Sequence, residues 1–166
     1  MATVTTLPAT FVSGAVLTAA QMNDLRGAFR VLQIVSGATI TATASSSTTI
    51  GDTTLTATIT PSATSSKVLV LVNHPACFKS NQNSQNAVVL ELWRDDGKIV
   101  TITGEGGYTN SLLEVRFGLS GLYMDSPASV AALVYKTRFA NLTADAQVIV
   151  QNNGNASSII LMEISA

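Results

Sequence analysis

The single histidine and the single cysteine of this 166-residue chain lie close together, at His74 and Cys77. A Ser-His-Asp or Cys-His catalytic arrangement would have to be built on that histidine. Residues three apart at the end of a predicted strand seldom form a nucleophile and its base, so we expect a structural role for His74. Cys77 has no partner for a disulfide or a CxxC metal site, and we expect it to be a small buried apolar side chain. A metal bound on a symmetry axis by His74 from several subunits stays open.

The ten acidic residues are dispersed along the chain. Asp95 and Asp96 are adjacent, but they lie in a predicted hairpin turn and are expected to set its geometry. Asp125 is likewise expected to cap a turn. The Gly-rich stretch 104–107 lacks the Lys-Ser/Thr that follows in a phosphate-binding loop. A glycan hydrolase would need two carboxyl groups across a cleft, for which these acids give no support. We therefore predict no catalytic residues, no metal site and no cofactor.

Two polar loops are better candidates for contacting a ligand, because exposed loops often carry binding residues. The candidate residues are Asn81, Asn83, Tyr108 and Asn110, with Tyr108 as a ring on which a sugar could stack. Trp93 lies within a predicted strand, and we expect it to be a core or interface residue rather than a sugar platform.

Composition limits the classes of partner. The chain is 46% hydrophobic and 11% charged, with a net charge of −1. Basic residues are scattered singly, whereas phosphate backbones are bound by clustered cations, so we expect no nucleic-acid partner. Apolar runs such as Val68–Val72 are too short to cross a bilayer, and no secretory signal is evident, so we expect no membrane insertion.

One amphipathic helix is predicted over residues 18–30, after an extended arm. Thr18 and Gln21 fit a capping box, and Asn23, Asp24, Arg26 and Arg30 occupy the polar faces. With nothing helical nearby, its apolar face must pack on the rest of the chain or on another chain. The candidate docking residues of the arm and helix are Phe11, Val12, Leu17, Met22, Leu25, Phe29 and Leu32.

From Val31 onward, apolar and polar residues alternate with the period of β-strands. Residues 55–59 and 133–139 alternate most regularly, and 67–73 is apolar on both faces, which indicates a central strand. Eight to ten short strands with frequent turns predict an all-β fold, an antiparallel β-sandwich or jelly-roll-like domain. The predicted domains are an anchor over 1–32 and a β-sandwich knob over 33–166.

Three further details follow from the same patterns. The polar stretch 74–86 predicts a loop. Residues 112–117 and 119–124 predict two strands around Gly118. Residues 146–151 and 158–164 predict a final pair of strands joined through a turn of Asn and Gly.

Residues 11–26, FVSGAVLTAAQMNDLR, resemble the G-x-V-L-T-A-A-x-M-N-x-L opening of tail-fibre, head-fibre and decoration proteins of tailed bacteriophages. Residues 59–62 with 65–70, together with 125–127, 135–137 and 158–164, are similar to later parts of the same module. The resemblance implies a homotrimer on the virion surface, made in the host cytoplasm, with an N-terminal anchor and a β knob.

The absence of a repetitive shaft between anchor and knob favours a capsid decoration or cement protein whose partner is the major capsid protein. The alternative is a short tail fibre or receptor-binding protein, attached to a tail or adaptor protein and recognising a host surface glycan. In a trimer, the two-sided apolar strands 67–73 and 159–164 would be covered by neighbouring subunits. Glu163 would then lie near an interface and need a cation such as Lys136 or Arg138, or a water-filled axis.

Overall fold

The computed structural model describes residues 31–165 and, from the N-terminal region, only Gly14, Val16, Thr18 and Ala19. Within 31–165 the chain forms ten strands and one short 3-10 helix, Asn152–Gly154, which confirms the all-β class. Among the described residues, no helix has the length and apolar character needed to cross a membrane. The strands are β1 Val31–Thr39, β2 Thr43–Ser45, β3 Gly51–Ile59, β4 Lys67–Lys79, β5 Val88–Arg94, β6 Gly97–Gly106, β7 Val115–Asp125, β8 Leu133–Asn141, β9 Val148–Val150 and β10 Ser157–Ile164.

The strands form two antiparallel sheets. Sheet B has the order β3-β8-β5-β6. In sheet A, β4 is the central strand, as predicted, and β7 pairs along one of its edges. The other edge of β4 is shared end to end by β10 and β9, which pair in turn with β1 and β2. The predicted boundary between residues 32 and 33 falls two residues inside β1.

The two sheets share one apolar interior, which gives the domain a sandwich-like arrangement. Val68, Val70 and Val72 of β4 point inward because side chains alternate along a strand. They pack in one cluster with Leu55 and Tyr135 from the opposite sheet. The alternation predicted for residues 55–59 and 133–139 is confirmed, since the odd-numbered side chains of both stretches are buried.

The predicted loop over residues 74–86 is wrong in its first half, where β4 continues to Lys79. The pairing of β4 with β7 shifts between His74 and Cys77, which marks a bulge. A bulge accommodates Pro75, which has no amide hydrogen to donate to a neighbouring strand. In this half of the stretch, His74 and Lys79 are fully buried, and His74 is hydrogen-bonded to Thr137 and Gln151, which lie far along the chain.

Two other predicted details are corrected by the strand pairing. β7 is a single strand that passes through Gly118, instead of two strands around it. β9 and β10 do not pair with each other as predicted, because each pairs with a different half of β4. Gln151 and Asn153 in the connection adopt left-handed backbone angles, and this connection places β9 and β10 one after the other along β4.

The predicted hairpin turn at Asp95 and Asp96 is confirmed, whereas residues 126–130 after Asp125 form no hydrogen-bonded turn. Asp95 and Asp96 form the two-residue turn between β5 and β6, and Asp95 has a φ of 52°, which asparagine and aspartate tolerate. The Asp95 side chain accepts a hydrogen bond from the Val134 amide. Asp125 accepts one from the amide of Ser126 at 2.8 Å and also binds Arg94.

Candidate functional site

Two polar loops, residues 80–87 and 107–114, meet beside the end of β4. Their link is Lys79, whose side chain is fully buried. Its amine donates to the carbonyl oxygens of Ser84 and Ser111 at 3.3 and 3.0 Å and to Thr109 Oγ1 at 2.9 Å. Burial lowers the pKa of Lys79. Three neutral acceptors satisfy its three donors, so this side chain holds both loops together.

The predicted ligand-contact residues are gathered around Gln85 of the first loop. The Gln85 side chain accepts a hydrogen bond from the Tyr108 hydroxyl at 2.8 Å and donates to Asn110 Oδ1 at 2.6 Å. Its backbone amide donates to Asn83 Oδ1 at 2.8 Å. The structure thus brings together Asn83, Tyr108 and Asn110, which with Gln85 we call the loop cluster. Asn81 is exposed nearby and belongs to none of these bonds.

A glycine fixes the position of the aromatic ring in the loop cluster. Gly107 has a φ of +74°, and an added Cβ would lie 2.2 Å from Cε1 of Phe117. Any side chain here would strain the backbone and collide with Phe117. The loop therefore passes close against β7, and Tyr108 remains 37% exposed.

A broad apolar surface lies on the outer face of sheet A. Strand register places two neighbouring rows of side chains across β1, β10, β4 and β7. We call these two rows the outer apolar face. The first row is Ile34, Met162, Leu69 and Met124, and the second is Ser36, Ile160, Leu71 and Leu122.

The outer apolar face is substantially open to solvent in the described chain. Leu122 is 69% exposed, Ile34 60% and Met124 45%. Sequence reasoning identified the two-sided apolar character of strands 67–73 and 159–164 but missed these three residues. In the sequence, these residues occupy alternate positions that point outward from the sheet and are nevertheless apolar. This pattern can be recognised only when the pairing register of the strands is known.

The outer face of sheet B carries charged and aromatic groups bound to one another. Arg138 lies 4.6 Å above the ring of Trp93 and pairs with Asp52. The Trp93 indole nitrogen donates to Glu91 at 2.9 Å, and Lys98 binds the same carboxylate. Trp93 was expected in a core or interface, but in this chain it is a half-buried residue of an outer sheet face whose ring Arg138 covers.

His74 is fully buried within the domain, which excludes the open possibility of a metal site on a symmetry axis. Its Nδ1 lies 2.9 Å from the side-chain oxygen of Gln151, in the amide orientation that the surrounding donors and acceptors require. Its Nε2 lies 3.1 Å from Thr137 Oγ1. Burial lowers the pKa of His74 to about 4, so the ring is neutral at pH 7. These neighbours confirm the structural role predicted for it.

Cys77, three residues further on, is 1% exposed, as predicted. Burial raises the pKa of its thiol to about 12, which makes it a poor nucleophile. Within the described part of the chain, no three His, Cys, Asp or Glu side chains cluster in a way that could hold a metal ion.

The interface position predicted for Glu163 is wrong. Its side chain points inward and is fully buried. The amide and hydroxyl of Ser62 donate to one carboxylate oxygen, and Gln33 donates to the other at 2.6 Å. Burial alone would raise the pKa of Glu163, but hydrogen bonds from Ser62, Gln33 and Ser66 outweigh it and lower the pKa to about 2. Neutral donors thus replace the expected Lys136 or Arg138.

Most of the predicted docking residues lie outside the described residues, and Leu32, which belongs to β1 and is 46% exposed, is the exception. The others are Phe11, Val12, Leu17, Met22, Leu25 and Phe29. Thr18 and Ala19 are the described residues of the predicted helix, so the helix stays a prediction. Comparison with protein-family models and with curated proteins finds no match to the chain.

Proposed function

We propose that the chain is a non-enzymatic structural protein of a tailed-bacteriophage particle, a trimeric decoration or cement protein bound to the major capsid protein. Its anchor is the N-terminal arm and helix, and its exposed knob is a jelly-roll-like sandwich. The proposal starts from the resemblance of residues 11–26. The observation that carries it is the junction at Val31, where β1 begins directly after the anchor segment.

That junction favours the capsid over the tail. A receptor-binding fibre needs reach, which a shaft of repeats or a coiled coil supplies. Here residues 31–165 belong to the two-sheet domain and its loops, so the knob would sit close to whatever surface the anchor binds. A cement protein needs only to lie across subunit junctions, with an interface of roughly 1,000 Å² or more.

Locating the protein by electron cryo-microscopy of the phage tests this function. Density repeated over the capsid lattice is the expected result, and density at the tail tip would contradict it. Anchoring is tested by binding purified protein to particles that lack it. Leu25→Asp, on the apolar side of the predicted helix, should abolish binding, whereas Asn23→Asp, on a polar side, should leave it unchanged.

The trimer is tested by the mass and unfolding of the free protein. We expect three chains of 17.2 kDa in native mass spectrometry and an unfolding midpoint that rises with protein concentration, because association is linked to folding. A folded monomer at micromolar concentration with a concentration-independent midpoint would contradict the trimer.

The loop cluster favours a second candidate, a short tail fibre that binds a host surface glycan. Tyr108 presents a partly exposed ring, and Asn83, Gln85 and Asn110 supply neighbouring amides, a combination suited to a sugar. Tyr108→Ala should weaken binding of the purified protein to envelope glycans, while Thr101→Ala on exposed β6 should not. Absence of any glycan binding by the unaltered protein would dispose of this candidate.

A further inference from the structure

The outer apolar face is large for a surface left to solvent. Its strands are about 4.8 Å apart and its rows roughly 7 Å apart. With the flanking residues Leu32 and Ile164, the surface extends over roughly 400 Å², which is within the range of the largest patches on monomeric proteins, and those are often functional. Lys67 and Arg116 lie at the rim of the face. Within that rim, the described residues place no charged side chain on the face.

The area of the face distinguishes between cover by a separate chain and cover by a segment of the same chain. A stable contact between separate chains buries about 800 Å² on each partner, roughly twice what this face offers. It must also offset the translational and rotational freedom that two chains lose on association. A segment already joined to the face loses far less freedom, so a small surface suffices for it.

The segment that precedes β1 joins the domain at the edge of this face. β1 is an edge strand of sheet A, and its first residue, Val31, pairs with Ile164. Val31 and Leu32 are about half exposed, at a register shift where the chain joins the sheet. Residues 18–30 come directly before, and a helix of that length would extend about 20 Å, close to the length of the face along its strands.

The sequence of that segment matches the chemistry of the face. Met22, Leu25 and Phe29 recur at helical spacing, so one side of the predicted helix is apolar. Asn23 and Arg26 lie toward its other sides and would stay in water. An apolar stripe therefore meets an apolar surface, with no charge to desolvate on either.

We propose that residues 18–30 lie on the outer apolar face of their own chain, with Met22, Leu25 and Phe29 packed against β10 and β4. This inference does not depend on the proposed function, because it follows from the sheet and the segment alone. Docking on a capsid through the same apolar residues would require the segment to leave the face. The free and the docked protein would then differ at this place.

Chemical cross-linking in the full-length chain tests the proposal. One variant combines Met22→Cys with Ser36→Cys, which lies in the second row of the face. The matched control combines Met22→Cys with Thr58→Cys, an exposed position on the outer side of β3, the strand of sheet B packed against β1. Ser36 and Thr58 lie outside the core, and buried Cys77 does not compete for a short bismaleimide reagent.

We expect about tenfold more cross-linked product of single-chain mass from the Ser36 pair than from the Thr58 pair. Mixing isotope-labelled and unlabelled chains identifies products that join two chains. Equal yields from both pairs, or no product from either, would overturn the proposal, because the segment would then not reside on the face. Product found only between different chains would also overturn it and would assign the face to a second copy.

Discussion

The outer faces of the two sheets differ in the way they meet solvent. On sheet B, Arg138, Trp93 and Glu91 bind one another, and Lys98 completes the network. On sheet A, the outward side chains include Ile34, Leu71 and Leu122, which have no polar atoms to satisfy and are partly exposed. The polar groups on the outer face of sheet B satisfy one another in water, whereas the outer apolar face of sheet A would gain stability if another surface covered it.

The interior shows the opposite contrast. The inward side of sheet A contributes His74, Gln151 and Glu163, all fully buried and hydrogen-bonded. Sheet B contributes mainly apolar side chains such as Leu90 and Phe139 to the interior. Sheet A therefore buries these polar groups among inward apolar side chains such as Val68 and Val70, and it also has apolar groups on its outer side. Buried polar groups must be matched by partners, whereas an open apolar surface is free to bind one, so we expect binding at the outer face of sheet A.

The largest effect on stability should come from acid acting on the interior of sheet A. The pKa of His74 is about 4 in the folded chain and 6.5 when exposed. Because the folded value is the lower one, its contribution is complete above pH 6.5 and is lost as pH falls toward 4, by about 3 kcal/mol. Urea unfolding at a series of pH values measures this loss.

The control for this prediction is His74→Gln, which retains polar atoms at the site and has no ionisation in this range. Its unfolding free energy should stay nearly constant between pH 6.5 and 4.5, although it starts lower. The ion pairs on sheet B are partly exposed and contribute little to such a slope. A slope of equal size in the variant would show that another group is responsible.

The sequence predicted those parts of the fold that depend on local patterns. Alternation located the inward faces of β3 and β8, and the Asp95-Asp96 turn located one hairpin. The continuation of β4 beyond residue 73 was not predictable, because polar and charged residues such as His74 and Lys79 are typical of loops. Their burial depends on partners that are distant in sequence, including Thr137, 63 residues from His74.

The candidate sites follow the same rule. Loop composition was enough to select Asn83, Tyr108 and Asn110. It did not select Gln85 and Lys79, which join the two loops, because only the pairing of β4 with β7 brings those loops side by side. Glu163 was assigned to an interface because apolar residues surround it in sequence, but side-chain alternation turns it inward.

An effect of intermediate size on the free energy of unfolding should distinguish the two outer faces. Leu122→Lys places a charge on the outer face of sheet A, and Thr58→Lys places the same charge on exposed β3 of sheet B. If the outer apolar face is covered, the first variant should lose about 2 kcal/mol of unfolding free energy, the value of burying one leucine. The second should stay within about 0.5 kcal/mol of the unaltered chain.

Leu122 makes this comparison sensitive because it is 69% exposed in the structure. An uncovered face would tolerate a lysine there as readily as β3 does. Equal unfolding free energies for the two variants in chemical denaturation would therefore show that the face remains in solvent.

The smallest effect should come from the charged network on sheet B. Lys98→Ala removes one ion pair from Glu91, and the Lys98 side chain is 46% exposed, so water screens the interaction. We expect a loss below about 1 kcal/mol that shrinks further in 1 M salt. Denaturant unfolding at low and high salt measures it. A loss as large as that of Leu122→Lys, or one that salt leaves unchanged, would mean that a partner also covers the outer face of sheet B, and the contrast between the two faces would no longer hold.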